Sequence, residues 1–287
     1  MTRLDAINEM LSARGESPVT ALDSTGSWPS KTYGSSDQGL AERILDRHSR
    51  RLQADGTVFN RLDDYVIELP TVKIAASGGA GTFTFGETIT ESTSAATGTF
   101  NYETGGYVYI APLTGTFAGG YTLTGGTSGA TRTGAAVSTL TSGRIAVNST
   151  WLHVDASASE SRRIKAETDS ATSIKFLFDL DPDDDATVPF GTLFDSSVRI
   201  DAVAEIEFTL LPELFAAYVV KSAAMDFQRS TKRGQTDDQM IQQELIAARA
   251  AWMRQESDTY GVNILATNDA FNVRGGRSGP FIAGGGL

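Results

Sequence analysis

The stretch that most constrains the fold is a predicted helical hairpin between residues 211 and 261. Pro212 suits a first helical position, and a turn is indicated at Arg233-Gly234. Thr236 and Gln239 after it have the spacing of a capping box, which predicts the start of a second helix. The apolar sides of the two helices are Leu214, Tyr218, Val219, Ser222 and Met225, then Ile241, Leu245, Ala248 and Trp252. Such a hairpin cannot bury both apolar sides alone and needs partners elsewhere in the chain.

Two more amphipathic helices are predicted near the beginning of the chain. The first follows Thr2 and ends near Gly15, with its apolar side at Leu4, Ile7 and Leu11. The second covers about 37–54, where Ser35 and Gln38 have capping-box spacing. Its apolar side is Leu40, Ile44, Leu45, His48 and Leu52, which leaves Arg43, Arg47 and Arg50 mostly outward. Four amphipathic helices favour a four-helix bundle.

Composition narrows the class of protein. At 287 residues with 40% hydrophobic content, the chain can form one large or two modest domains. It contains no cysteine, which excludes disulfides, thiolate chemistry and cysteine metal sites. No apolar run approaches a membrane span, so we expect a soluble protein. A net charge of -11 argues against a simple duplex-binding module, because such a module needs a basic surface.

The block from Lys73 to Ser142 differs from the rest of the chain, since it consists mainly of Gly, Thr, Ser, Ala and aromatic residues. GETITESTSAATGTF from Gly86 aligns with GYTLTGGTSGATRTG from Gly120, an internal repeat at an offset of 120 minus 86, or 34 residues. Alternating Thr and aromatic residues favour strands, and Gly105-Gly106 predicts a hairpin turn. We interpret the block as a small inserted β domain, with a flexible linker as the alternative.

Short strand patterns return after this block and predict a small antiparallel sheet. They lie at about 145–154, 163–165, 174–180, 198–200 and 203–210. The predicted fold class is therefore α+β: a four-helix bundle with a small antiparallel β platform, plus an inserted β-rich domain. The predicted domains are the N-terminal helices of the core (1–72), the insertion (73–142), the platform with the helical hairpin (143–271), and a flexible glycine-rich tail (272–287).

The sequence contains little that indicates catalysis. His48 falls on the inner side of a predicted helix, where a hydrogen-bonded core histidine is the expected role, and His153 alternates with Trp151 in a strand. Neither belongs to a nucleophile or zinc motif, so we assign no catalytic residue and no cofactor. The run from Asp179 to Asp185 begins like a calcium loop. It lacks the glycine and the final glutamate of that loop, which favours a solvated acidic turn, and we assign no metal.

Both ends of the chain resemble one family. INEMLSARGESPVTALD, RILDRHSRRLQADGTVFN and FTLLPELFAAYVVKSAAMDFQ are similar to the tail tubular protein A family of short-tailed bacteriophages. The resemblance covers about 3–72 and 143–270, but not the 73–142 block. It implies a non-enzymatic head-to-tail adaptor, assembled as a dodecameric ring between the portal protein and the tail nozzle protein. The implied location is the neck of the virion, after synthesis in the host cytoplasm.

The family role suggests candidate contact residues and leaves alternatives open. In the C-terminal segment, we expect Phe281 and Ile282 to fill an apolar groove of the portal, and Arg274 and Arg277 to meet acidic portal groups. In the 73–142 block, Tyr102, Tyr107 and Tyr109 are candidate contacts for tail fibres or neighbouring subunits. We expect genomic DNA to pass through the ring without specific binding. The alternatives are a receptor- or glycan-binding tail component and, as an enzyme, a cell-wall hydrolase.

Overall fold

The computed structural model describes residues 1–26, 31–180, 191–231 and 236–260, and the chain divides into two compact units. We call the first the helical unit, which comprises the chain up to Phe59 and again from Ile206 onward. The second, the β unit, comprises Asn60–Glu205. The helical unit is therefore assembled from the two ends of the sequence.

The described part of the helical unit contains four helices: α1 Arg3–Ala13, α2 Asp37–Ala54, α3 Glu213–Thr231 and α4 Thr236–Tyr260. Helix α3 is the common neighbour, because α1, α2 and α4 all pack against it. Its buried side chains include Phe215, Ala216, Val219, Val220, Ala223 and Phe227. Within the described residues, no helix combines the length and the apolar composition that a membrane crossing requires.

Polar contacts fix the positions of α1 and α4 on α3. Lys221 Nζ lies 2.7 Å from a carboxylate oxygen of Glu9 on α1 and 2.7 Å from one of Glu244 on α4. Gln228 donates a hydrogen bond of 2.7 Å to the carbonyl oxygen of Ala13 at the end of α1. Because apolar packing alone tolerates sliding, these directional contacts set the register of the helices.

The helix starts are capped by short polar side chains. At α1, Thr2 and Asp5 form a reciprocal capping box. At α2, the predicted box of Ser35 and Gln38 is wrong, because Ser36 is the N-cap and accepts from the N–H of Gly39 at 3.1 Å. A Cβ at Gly39 would meet the carbonyl oxygen of Gly34 at 2.1 Å, so this close approach requires glycine and fixes where the helix begins.

The β unit contains an open sheet and a closed barrel. The sheet has the order β1-β11-β8-β9-β10, and the barrel has the order β2-β5-β4-β3-β6-β7, with antiparallel neighbours throughout. The strands are β1 Arg61–Ile67, β2 Val72–Ala80, β3 Thr88–Glu91, β4 Thr97–Thr104, β5 Tyr107–Thr114, β6 Thr122–Gly125, β7 Thr131–Thr139, β8 Trp151–Ala156, β9 Ile164–Thr168, β10 Lys175–Asp179 and β11 Val198–Ala204.

The internal repeat builds two equivalent hairpins of the barrel. Strands β3 and β4 form the first and β6 and β7 the second, and the hairpins meet through the pairing of β3 with β6. The predicted turn at Gly105-Gly106 is confirmed, since it joins β4 to β5 with φ values of 58° and 78°. Strand β2 closes the barrel because Val72 lies opposite Ile110 on one side and Thr139 on the other.

The fold class predicted from the sequence is wrong. The protein is mostly β and has a closed six-stranded barrel, with four helices in its described part, rather than a four-helix bundle carrying a small platform. The error has a physical cause, since local periodicity reports single strands but not the pairing of distant strands that closes a barrel. The assignment of residues 73–142 as a separate domain stays a prediction.

Phe215 tests the importance of α3 for the helical unit. Its ring centroid lies 5.0 Å from that of Phe59 and 5.0 Å from that of Trp252, in edge-to-face geometry. We expect Phe215→Ala to lower the free energy of unfolding by about 3–5 kcal/mol, because it leaves a cavity between three elements. Urea unfolding followed by the helical circular-dichroism signal measures this.

Leu210→Ala is the matched control. Leu210 lies three residues before the start of α3 and is 73% exposed, so its truncation should change the free energy of unfolding by less than about 0.5 kcal/mol. Equal effects of the two substitutions would show that the packing on α3 is not what holds the helical unit together.

Candidate functional site

The tyrosines predicted as contact residues lie on paired barrel strands but differ in exposure. Tyr102 on β4 lies opposite Tyr109 on β5, and their rings stack with centroids 4.2 Å apart. Tyr102 is buried, and burial raises the pKa of its hydroxyl, whereas Tyr107 is 38% exposed. The ammonium group of Lys73 lies 3.9 Å from the ring centroid of Tyr107, a cation–π contact. Tyr109 and Lys73 are half-buried, so Tyr107 is the tyrosine of this group that is most open to a partner.

Tyr102 belongs to a polar and aromatic junction that joins the barrel to the open sheet within the β unit. Its ring meets Phe176 of β10 edge-on at 5.0 Å. Next to it, the side chain of Asn101 accepts from the N–H of Ala146 at 2.8 Å and donates to the carbonyl oxygen of the same residue at 3.5 Å. Phe85 adds a second aromatic contact, edge-on to Trp151 at 5.6 Å. The junction gives Tyr102 a structural role.

Two buried glutamates bind backbone N–H groups at the turns of the repeat. Glu91 accepts from the N–H of Ala118 and of Gly119, each at 2.9 Å, and from the hydroxyl of Ser94. Burial by itself would raise the pKa of Glu91, but these donors hold the pKa below its ordinary value. The carboxylate therefore stays charged and stabilises the loop between β5 and β6.

Glu87 lies in the first copy of the repeat and binds a turn of the second copy in the same way. It accepts from the N–H of Thr127 at 3.0 Å and from the N–H of Ser128 at 2.9 Å, and the N–H of Thr84 donates at 2.6 Å. Burial would raise the pKa of Glu87, but these donors lower it overall. The repeat puts glycine at position 125, the counterpart of Glu91, and a Cβ there would lie 2.7 Å from the Glu87 oxygens. Each of the two turns is therefore bound by one glutamate carboxylate, and the two glutamates occupy different positions of the repeat.

These glutamates were missed in the sequence, although a signal exists. The block around them has few charges, so two carboxylates within GETITE are unusual there. A charge kept in such a segment is usually paired or hydrogen-bonded, and in this barrel the partners are backbone groups.

The histidines have hydrogen-bonding partners. His48 on α2 is buried, with Nδ1 at 2.9 Å from the hydroxyl of Ser222 and Nε2 at 2.7 Å from a carboxylate oxygen of Asp226. Both partners lie on α3, so the imidazole connects two helices, as expected for a core histidine. His153 pairs with Asp155 at 2.6 Å on the exposed side of β8.

The remaining sequence candidates fall partly or wholly outside the described residues. Asp179 lies at the end of β10, whereas the rest of the acidic run, beginning at Asp181, is outside. Within the described ranges, no group of three or more His, Asp or Glu side chains could hold a metal ion. The four portal-docking candidates, Arg274, Arg277, Phe281 and Ile282, also lie outside, and their role stays a prediction.

The helical unit exposes two unlike helix faces. On α2, Arg43, Arg47 and Arg51 are exposed at four-residue intervals and form one stripe. On α4, Ile246 is 61% exposed and Met253 50%, seven residues apart on one side. The exposed Arg249 and Arg254 lie beside these two side chains by helical spacing, so the outer side of α4 is basic as well as apolar.

Comparison with known families now gives the class of protein. A family model described as Tube, tail tubular protein, matches residues 4–94 and 134–262, which is most of the chain. This chain belongs to the tail tubular protein family. No curated protein matches it. The chain is therefore a structural protein of a bacteriophage tail, and it assembles there with other virion proteins. The tail tubular family is in general non-enzymatic.

The tail tubular match omits residues 95–133. This gap contains β4, β5 and β6 and the beginning of β7, so it falls entirely within the barrel region. The matched ranges include all four described helices and the open sheet. What distinguishes this chain from the family pattern is thus the middle of the barrel, where Tyr102, Tyr107 and Tyr109 lie.

Because of its two buried glutamates, we expect the stability of the β unit to depend on pH. Because folding lowers the pKa of Glu87 and of Glu91, their contribution to stability is present above the ordinary glutamate pKa of about 4.3 and is lost as the pH falls below it. The free energy of unfolding of the unmodified protein should therefore fall between neutral and acidic pH. We expect this fall to be smaller in the double variant Glu87→Gln, Glu91→Gln. Urea titrations of both proteins over this pH range measure it. Identical pH dependence in both proteins would contradict the assignment.

Proposed function

We propose that this tail tubular protein is the head-to-tail adaptor of a short-tailed bacteriophage. Twelve copies form a closed ring between the portal protein and the tail nozzle protein, in the neck of the virion. The genomic DNA passes through the lumen during ejection without sequence-specific binding. In this role the protein connects the portal to the nozzle and does not form the nozzle itself.

The observation that supports this role best is the packing of three distant segments in the helical unit. The segments that resemble the adaptor family contribute α1, α2 and α3. Their buried side chains share one apolar core with members such as Ile7, Leu45 and Val219. The segments that resemble the adaptor family therefore fold together into one compact unit. A role in the ring that the family shares would depend on this helical unit.

The net charge of the chain and the candidate contact residues fit the same role. A net charge of -11 on each copy disfavours tight binding of DNA phosphates, which suits a passage for the genome. From the sequence, we propose that the segment 272–287 docks on the portal through Arg274, Arg277, Phe281 and Ile282. We propose contact with tail fibres or neighbouring subunits for the exposed Tyr107.

Silencing the gene in the phage tests the role. We expect infected cells to accumulate heads with portal and packaged DNA but without the nozzle, because the connector between them is missing. Electron microscopy of the particles, with immunoblots for portal and nozzle, measures this. Supplying the protein from a plasmid should restore tails. Nozzles attached to heads in its absence would contradict the adaptor role.

A further inference from the structure

The arginine stripe of α2, formed by Arg43, Arg47 and Arg51, indicates which surface of this protein meets the genome. We propose that the stripe contacts the phosphates of double-stranded DNA without reading its sequence. This inference rests on the proposed adaptor role, and it identifies the helix face that is turned toward the DNA in the lumen.

The positive charge of the stripe is not cancelled within its own helix, because the carboxylates of α2 are buried or paired. Glu42 is fully buried. Asp46 has a side chain that is 16% exposed and accepts a hydrogen bond from Lys31 at 3.0 Å. Asp37, in the first turn, lies 2.9 Å from the guanidinium group of Arg14. The guanidinium groups of the stripe are therefore the charges that α2 presents to solvent.

Neighbouring carboxylates reduce this positive charge only in part. Asp226 on α3 lies 3.2 Å from Arg47 and 2.7 Å from His48, yet the side chain of Arg47 remains 65% exposed. In the part of the chain that the structure describes, Arg43 and Arg51 form no ion pair. The exposed Asp55 follows the last turn of α2 and marks the end of the basic face. Between residues 43 and 51, three arginines thus face one shared carboxylate.

The composition of the stripe favours nucleic acid over a protein partner. Every large apolar side chain of α2 is buried or half-buried, so the stripe has no apolar centre. Protein interfaces have an apolar core inside a polar rim, whereas surfaces that bind DNA are more polar and strongly positive. The outer side of α4 differs, because Arg249 and Arg254 share it with the exposed Ile246 and Met253. Among these two helix faces, that of α2 is the one suited to a polyanion.

The spacing of the arginines fits the DNA backbone. Residues four apart on a helix are separated by about 6 Å along its axis, so the stripe is about 12 Å long, close to the width of the major groove. Its ends can therefore reach phosphates on both sides of that groove. The planar guanidinium group binds phosphate oxygens in a bidentate manner. Phosphate contacts carry no sequence information, which suits DNA of any sequence.

The contact is expected to be weak, as a passage for the genome requires. Each arginine that neutralises a phosphate makes the binding more sensitive to salt. With three such contacts per copy, the affinity should fall about 40-fold between about 0.05 and 0.2 M salt. The net charge of -11 on the chain repels the same polyanion. The stripe therefore guides the DNA without holding it.

Titration of the purified protein with a short DNA duplex tests the contact without any ring. We expect the nuclear magnetic resonance signals of the α2 guanidinium groups to shift at low salt. The double variant Arg43→Gln, Arg51→Gln keeps one arginine of the stripe, so the loss of affinity over the same salt range should shrink to about threefold. Its circular-dichroism spectrum should be unchanged, because neither side chain is buried.

The double variant Arg249→Gln, Arg254→Gln is the matched control. It removes the same charge from α4 and should leave the titration unchanged. Equal weakening by the two double variants would overturn the inference, since it would show a general effect of charge. Absence of any shift at low salt would overturn it as well. So would loss of the α2 variant from virions with an unaltered titration, which would indicate that the stripe meets another virion protein.

DNA cleavage in the particle locates the stripe in the assembled tail. The chain contains no cysteine, so one introduced thiol can carry an iron chelate that generates hydroxyl radicals. Ala54 is exposed at the end of α2, three residues after Arg51, and Ala136 is exposed on β7. In tailed particles halted during DNA ejection, we expect the chelate on Ala54→Cys to cut the genome several times more strongly than the chelate on Ala136→Cys.

The outcomes separate this inference from the adaptor role. Equal cutting from the two positions, or none from Ala54→Cys, in particles whose neck holds a ring of this chain would overturn the DNA contact and leave the adaptor role intact. Absence of the chain from the neck of unmodified virions would refute the adaptor role. The titration of the purified protein would then still decide whether the stripe binds DNA.

Discussion

The packing of every other described helix on α3 is the interaction on which the structure depends. Helices α1 and α2 precede the β unit in the sequence and α4 follows α3, so the helical unit exists only when the two chain ends meet. Apolar burial supplies the driving force, and Phe215 and Phe227 are almost fully buried. Lys221, Gln228 and the pair of His48 with Asp226 then fix the register. The outward faces of α2 and α4 are a direct consequence of that register.

The barrel combines an apolar core with a sequence that has few charges. Ile74, Ile89 and Ile110 are fully buried in that core. The turns are stabilised by Glu87 and Glu91, whose carboxylates each accept several hydrogen bonds from backbone and hydroxyl donors. Charge-assisted hydrogen bonds are stronger than neutral ones, which lets a sequence rich in Gly and Thr hold defined loops. Tyr107 can then be presented to a partner on a fixed surface.

Local features of this protein were predictable from sequence, whereas long-range ones were not. Helical spacing located the four helices approximately, and Gly105-Gly106 located the β4–β5 turn, because both signals are short-range. The resemblance at the chain ends led to the tail tubular family, which the family match confirms. Barrel closure was missed because it depends on β2 pairing with both β5 and β7.

Prediction of the candidate site from sequence was limited in the same way. Tyr102 and Tyr107 lie in similar strand-like sequence on either side of the Gly105-Gly106 turn. Tyr102 is nevertheless buried, because Phe176, far along the chain, covers its ring. Glu91 was overlooked since its donors at Ala118 and Gly119 come from another strand connection. The choice of Ser36 over Ser35 as the cap of α2 depends on the close approach of Gly39 to Gly34. For Tyr102 and Glu91 the deciding contact is a long-range one, whereas the cap of α2 depends on a close backbone approach at the start of the helix.

A cryo-electron microscopy reconstruction of the virion neck tests whether this chain forms the ring between portal and nozzle. We expect a closed ring of copies of this chain, in contact with the portal on one side and with the nozzle on the other. A neck without this chain, with copies found only in the nozzle or as isolated decorations, would contradict it.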